Sequence, residues 1–189
     1  MDKLTALIHL LKYELPFVLD MKERTLHDHI HNEDGMIDTT DLLSIIILNR
    51  SIAGIFVSVN TLARSIIRNN EYGDHGVTNF NTLMGYIVSY VLPEFEVTDN
   101  TDPKDIALKL NSLIPMVIEH TEIDSGVTAI ELAIEYCRDR INVLKLNSDE
   151  LNVSEEFRNI QLSLYTTILD CVNDINPQMS TVWRVQCGH

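Results

Sequence analysis

The sequence predicts an all-α protein, a compact bundle of about six helices with a long central apolar helix and an extended C-terminal tail. Three observations lead to this prediction. Apolar residues recur at helical spacing in most segments, and one segment over about 41–68 sustains a seven-residue repeat. The composition, 45% hydrophobic and 22% charged residues, is ordinary for a globular domain. The 189 residues suffice for one domain with a full core.

The first element is predicted to be a helix over residues 2–15, with Asp2 as its N-cap. Its apolar stripe consists of Leu4, Leu7, Ile8, Leu11 and Leu15. Pro16 is expected to end or kink this helix because proline lacks the backbone N–H that the next turn needs. A shorter helical piece is expected over residues 17–30, and residues 31–40 are predicted to form a loop.

The central helix is predicted over about 41–68, and its residues fall into three columns at seven-residue spacing. These are Ile45, Ile52, Val59 and Ile66; Leu48, Ile55 and Leu62; and the serines Ser44, Ser51, Ser58 and Ser65. Small residues beside a β-branched column allow close helix approach. The seam over 42–68 is either internal core or an interface between chains, and its broad apolar face favours core.

A membrane span is the rival interpretation of the same segment. Arg50 would then lie near the bilayer centre, at a cost of roughly 2.5–3.5 kcal/mol, with Asn49 beside it. A buried helix of a soluble protein is therefore the better prediction, and no membrane partner is expected.

The remaining helices are delimited by caps and prolines. Their predicted positions are 80–92, ended by Pro93; 103–115, capped by Asp102 and broken late by Pro115; Asp124 or Ser125 to Leu146; and Ser154 to a stop at Pro177. The domain prediction is one helical domain over 1–176 and a C-terminal tail over 177–189. A sub-division at the acidic linker 93–102 stays open as an alternative.

The net charge of −14 limits the classes of partner. Ten acidic residues lie between Glu94 and Glu135 against two lysines, which leaves eight net negative charges there. Such a surface repels phosphate, so direct nucleic-acid binding is not expected. It suits a basic protein partner or mimicry of nucleic acid through the 94–135 region.

Cysteine usage and composition indicate the compartment and the source. The three cysteines lie far apart, which argues against a disulfide scaffold and favours a reducing, cytoplasmic location. Isoleucine outnumbers alanine by 21 to 6, a bias typical of AT-rich genomes such as those of many viruses and phages. A viral chain would lie in the host cytoplasm or the virion.

One cluster of metal-ligand types occurs, at His27, His31 and Glu33. On a helix the two histidines, four residues apart, would face one side, with Asp28 where a zinc site of the His-Glu-x-x-His type has its general base. Aspartate is too short for the usual geometry, and no distant ligand set is evident. The stronger interpretation is a polar helix end, so no metal, cofactor or catalytic residue is predicted.

Two groups of residues are candidates for partner binding. Arg50, Arg64 and Arg68 form a stripe on the central helix that could contact an acidic partner, or else extend to solvent from a core helix. Trp183 and Val185 lie on one side of the tail if it is extended, and tryptophan is enriched at interface hot spots.

The function predicted from these features is a non-enzymatic, acidic, helical interaction or assembly protein. It would bind protein partners or form a homo-oligomer, and a viral or phage structural or assembly component fits the composition. The first alternative is an inhibitor or nucleic-acid mimic that binds a basic partner through residues 94–135. The second is a helical metalloenzyme that uses His27 and His31.

Overall fold

The structure, a computed structural model, describes residues 1–30, 39–72, 76–91, 98, 100–120, 128–146 and 154–186. These residues form six helices and no strand, which confirms the all-α prediction. The helices are α1, made of Lys3–His9, a π-helical segment Leu10–Glu14 and Leu15–Ile30; α2, Thr39–Asn69; α3, Gly76–Val91; α4, Pro103–His120; α5, Ala129–Leu146; and α6, Glu155–Gln186.

Helix α2 is the centre of the bundle, as the seven-residue repeat predicts. It packs against α1, α4, α5 and α6, while α3 packs against α4. The columns of the repeat are buried from the middle of the helix onward: Ile55, Leu62 and Ile66 are fully buried, and Val59 is almost so. One hydrophobic core contains residues from all six helices, including those on both sides of the 93–102 segment.

Pro16 does not end the first helix, which continues to Ile30; the alternative, a kink at Pro16, stays a prediction. The chain passes through the π-helical segment Leu10–Glu14 immediately before the proline, and the N–H of Leu15 bonds the carbonyl of Leu10, five residues back. In a π turn the N–H groups bond carbonyls five residues back instead of four. This change in the hydrogen-bond pattern accommodates Pro16, which has no N–H to donate. Buried residues lie on both sides of the proline, Leu10 before it and Val18 after it, so both parts of α1 contribute to the core.

Four further boundaries differ from the predicted ones. Helix α3 begins at Gly76, four residues before its predicted start at Phe80. Helix α4 continues through the exposed Pro115, because Ile114 and Val117 pack into the core on either side of it. Helix α5 begins at Ala129, where Thr128 and Glu131 cap it, rather than at 124 or 125.

The last helix also runs further than predicted. Helix α6 continues past Pro177 to Gln186, so residues 177–186 are helical instead of forming an extended tail. Proline removes one hydrogen bond, but its fixed φ is itself helical, and a helix can therefore resume beyond it. Of residues 175–186 the structure describes only the backbone.

The caps of α1, α4 and α6 agree with the sequence. Asp2 accepts a hydrogen bond from the N–H of Thr5 at 2.8 Å, and Asp102 accepts one from Lys104 at 2.9 Å. The hydroxyl of Ser154 accepts one from the N–H of Phe157 at 3.2 Å. Each side chain satisfies a donor that the first turn of a helix leaves unpaired.

Small residues bring α2 and α5 into close contact. A Cβ atom on Gly54 would lie 2.6 Å from the Cβ of Tyr136 and 2.8 Å from the carbonyl oxygen of Leu132. Further along the same helix, the hydroxyls of Ser58 and Thr61 are buried and bond to carbonyls four residues back, at 2.7 and 2.8 Å. The bundle therefore buries these polar side chains without leaving their donors unpaired.

Candidate functional site

The N-terminal end of α2 exposes an apolar surface that we call the apolar patch: Leu42, Leu43, Ile46 and Ile47. Their exposed fractions are 47%, 54%, 45% and 62%, whereas Ile55 in the same helix has none. An isolated exposed apolar side chain is ordinary, but four within six residues form a contiguous surface of the kind that marks interaction sites.

A cleft lies beside the apolar patch, between α2 and α5. Its lining residues are Ile47, Arg50, Ser51, Leu132, Glu135, Tyr136 and Asp139, and its volume is about 120 Å³. Sites for small metabolites are about 300–1,000 Å³, so this cleft is too small for one. Ile47 belongs to both features, which makes the patch and the cleft one continuous surface.

The cleft contains more negative than positive side chains. Arg50 of α2 donates from Nε to Oε2 of Glu135 on α5 at 3.2 Å, which joins the two helices. Asp139 is one helical turn beyond Glu135, is exposed, and has no hydrogen bond or ion pair in the part of the chain that the structure describes. Two carboxylates thus face one guanidinium.

A second polar group lies deeper, where α1, α5 and α6 meet, and we call it the buried network. Glu14, at the end of the π-helical segment, is only 6% exposed. Its Oε2 accepts hydrogen bonds from the hydroxyl of Tyr136 at 2.9 Å and from Nη2 of Arg140 at 3.3 Å. Arg140 also donates from Nε to the hydroxyl of Tyr165 at 3.2 Å.

Burial dominates the electrostatics of the buried network. It raises the pKa of Tyr136 and raises the pKa of Tyr165 to about 12, so both phenols stay protonated at neutral pH. Burial alone would lower the pKa of Arg140, but the Tyr165 hydroxyl and the Glu14 carboxylate raise it. The network is internally paired and largely closed to solvent, which is the arrangement of a structural anchor.

The cysteines that the structure describes offer no nucleophile. Cys137 and Cys171 are free and buried. Burial raises the pKa of the Cys137 thiol to about 12, against a smaller lowering by the hydroxyl of Ser58, and burial likewise raises the pKa of Cys171. Neither thiol is a thiolate at neutral pH, so neither is activated for chemistry.

The three arginines of the predicted stripe have different surroundings in the structure, and their role in partner binding stays a prediction. Arg50 pairs with Glu135 of its own chain, and Glu135 belongs to the acidic 94–135 region. Arg64 is half-buried and Arg68 is exposed near the C-terminal end of α2. Trp183 lies on the helical backbone of α6, and its side chain, like that of Val185, lies outside the described residues.

The metal candidates are only partly described. His27 is an exposed residue of α1, and His31 and Glu33 lie outside the described residues. Over the described ranges, no group of three His, Cys, Asp or Glu side chains could hold a metal ion. The His27–His31 prediction therefore stays a prediction.

Several acidic residues of the 94–135 region have local structural roles. Asp102 caps α4, and Glu131 accepts hydrogen bonds from the N–H and hydroxyl of Thr128 at 2.7 and 2.8 Å, closing the first turn of α5. The hydrogen bonds from Thr128 lower the pKa of Glu131. These carboxylates stabilise helix starts, which reduces the number available to imitate a phosphate backbone.

Sequence reasoning did not find the buried network. Its signal was weak: Glu14 occupies a position between Leu11 and Leu15, in an otherwise apolar stripe. Glu14 and Arg140 are 126 residues apart, so their pairing appears only in the folded chain.

One helix of the described chain, Leu42–Asn69, is long and apolar enough to cross a membrane, and half of its most apolar window is buried inside the protein. A core helix meets the same criteria of length and composition. Comparison of the chain with protein-family models, with curated proteins and with solved structures finds no match.

Proposed function

We propose that this protein is a non-enzymatic interaction or assembly protein that binds a protein partner through the apolar patch. The observation that carries the proposal is the exposure of Leu43 and Ile47, at 54% and 62%, on the helix that supplies more buried core residues than any other described helix. Covering such side chains stabilises a complex by about 25 cal/mol per Å² of apolar surface, before the costs of association.

Other features fit a binding role at this surface. The cleft beside the apolar patch has room for a side chain of a partner but not for a metabolite. The composition suits a viral or phage assembly component, and the source remains part of the proposal. The nucleic-acid mimic receives less support, because Asp102, Glu131 and Glu135 each have a partner within the chain.

The test compares the wild-type protein with Leu43→Ser/Ile47→Ser. Binding to a fluorescent amphipathic helical peptide of leucine and glutamine is measured by anisotropy, and self-association of the pure protein by light scattering. The proposal expects binding or self-association that the double variant loses by about tenfold or more while its melting temperature is unchanged. Leu108→Ser is the control, because Leu108 is 69% exposed on α4, outside the apolar patch.

Two results would overturn the proposal. In the first, the double variant unfolds at a much lower temperature, which would place the apolar patch in the protein's own core. In the second, the wild-type protein neither self-associates nor binds the peptide but binds phosphatidylcholine vesicles, which would make the patch a membrane contact.

A further inference from the structure

We infer that the cleft between α2 and α5 accepts a lysine or arginine side chain from a basic, amphipathic partner segment whose apolar residues cover the apolar patch. This inference rests on the proposed function and names the class of partner. It depends on the shape of the cleft, on its charge and on the charge of the whole protein.

The shape of the cleft fits one long side chain. Its 120 Å³ correspond to about four water molecules at ~30 Å³ each. Ile47, Leu132 and the ring of Tyr136 provide apolar walls for the methylene stem of such a side chain. The carboxylates of Glu135 and Asp139 provide acceptors for its charged end.

The charge of the cleft selects a cation. Arg50 neutralises Glu135, but Asp139 has no ion pair among the described residues, so the lining carries one net negative charge. A cation that enters the cleft pairs with Asp139 and shares Glu135 with Arg50. An anionic or neutral side chain would leave Asp139 uncompensated beside an apolar surface, which is unfavourable.

The charge of the whole molecule favours a basic partner over a second copy of this chain as the occupant of this surface. Each copy carries −14, so two copies repel one another, whereas a basic segment is attracted and steered toward the surface. The same acidic surface repels anionic lipid. A basic protein segment is therefore the occupant that satisfies both the apolar patch and the unpaired carboxylate.

The test uses three amphipathic helical peptides with the same leucine face and a polar face of lysine, glutamine or glutamate. Affinities are measured by fluorescence anisotropy at about 50 and 300 mM salt. The expected order is lysine, then glutamine, then glutamate, and the preference for lysine over glutamine should shrink at the higher salt concentration.

A charge-matched pair of variants localises the effect to the cleft. Asp139→Asn should weaken binding of the lysine peptide about fivefold, the factor for one solvent-accessible ion pair, with little change for the glutamine peptide. Asp170→Asn removes the same charge from an exposed position on α6 and should change the affinity less than twofold. Helix content by circular dichroism confirms that both variants fold.

The outcomes separate this inference from the proposed function. If the lysine and glutamine peptides bind equally, or if Asp139→Asn and Asp170→Asn have the same effect, the cationic cleft is refuted while patch-dependent binding stands. If no peptide binds in a way that depends on Leu43 and Ile47, both the inference and the proposed function fail. Self-association blocked by Ile47→Ser would replace the basic partner with a second copy.

Discussion

Glu14 is a buried carboxylate at the end of the π-helical segment, and its hydrogen bonds join α1 to another helix. Its two partners, Tyr136 and Arg140, come from α5, and Tyr165 on α6 completes the network. The rings of Tyr136 and Tyr165 also meet edge to face, with centroids 5.9 Å apart. Three helices are thus joined at one point by directional contacts as well as by apolar packing.

Removing one charge of this network should destabilise the protein more than removing a surface charge. Arg140→Met leaves the Glu14 carboxylate with Tyr136 alone, and we expect a loss of about 2–3 kcal/mol in urea unfolding. That is below the 3–5 kcal/mol of a fully buried pair, because the Arg140 side chain is 39% exposed. Arg50→Met, the control, breaks a more exposed pair and should cost about 1 kcal/mol or less. Equal losses in the two variants would show that the buried network contributes no more to the free energy of unfolding than a more exposed ion pair does.

The buried tyrosines should make the protein sensitive to alkaline pH. The pKa of Tyr165 is about 12 in the folded state and 10.0 in the unfolded chain, so the folded state holds its proton more tightly. That stabilisation is complete below pH 10 and is lost as the pH rises from 10 through 12. For a two-unit difference it amounts to about 2–3 kcal/mol.

The measurement is urea unfolding at pH 8, 10 and 11. Tyr165→Phe should flatten the decline in the free energy of unfolding above pH 10. Tyr13→Phe, at a position that is 62% exposed, should leave the decline as it is in the wild-type protein. A wild-type profile that is flat between pH 10 and 11 would contradict the prediction.

At the scale of the elements, the contact between α2 and α5 depends on a residue without a side chain. Alanine has a higher helix propensity than glycine by about 1 kcal/mol, so Gly54→Ala would stabilise an exposed helix. Here the added methyl group would lie 2.6 Å from the Cβ of Tyr136, and the two helices would have to separate. We expect a net loss of about 1–2 kcal/mol in chemical denaturation. A more stable variant would show that the helices do not approach this closely.

Helix α2 also has an exposed N-terminal part and a buried part, and the same change to aspartate should have different effects in the two parts. Ile52 is 7% exposed and Ile47 is 62% exposed, five residues apart in the same helix. Ile52→Asp should unfold the protein, because a lone buried charge costs several kcal/mol, comparable to the stability of a whole domain. Ile47→Asp should leave the melting temperature within a few degrees, because the new charge lies in solvent. A folded Ile52→Asp protein with an unchanged melting temperature would contradict the assignment of the core.

The elements also show what sequence patterns can and cannot predict. The caps at Asp2, Asp102 and Ser154 were predictable because each acts on donors two or three residues away. The break predicted at Pro115 does not occur, because apolar residues that pack on both sides of it outweigh the lost hydrogen bond, and the first helix likewise continues past Pro16.

The surface residues could be predicted only in part. The periodicity identified α2 as central, but it did not show that the covering helices leave the apolar patch exposed. Similarly, the pairing of Arg50 with Glu135 joins residues 85 positions apart, which no local pattern reports.

At the scale of the whole molecule, the core is continuous and the C-terminal residues lie at the end of its last helix. The deeply buried residues of α6, Leu164 and Ile168, precede residue 175, beyond which only the backbone is described. We predict that deletion of residues 179–189 preserves the melting temperature and removes only the helix content of residues 179–186, but weakens assembly, since Trp183 is the kind of residue that dominates interfaces. Calorimetry and light scattering on the truncated protein test this.

Trp183→Ala in the full chain distinguishes the effect of losing the tryptophan side chain from the effect of losing the whole segment 179–189. It should reproduce most of the effect of the truncation on assembly. A drop of many degrees in melting temperature on truncation would instead assign the segment to the core.

The π-helical segment in α1 changes which side of the helix faces inward. A bond from Leu15 to Leu10 encloses one more residue than an α-helical bond, and one residue is worth about 100° of rotation. A regular period running on from Leu7 and Leu10 would bury Phe17 and Met21, yet these are 54% and 41% exposed, while Val18 is buried. The extra residue therefore acts as a phase shift: it exposes an aromatic and a thioether side chain to solvent and lets one helix carry two apolar stripes that have the same period but different phases.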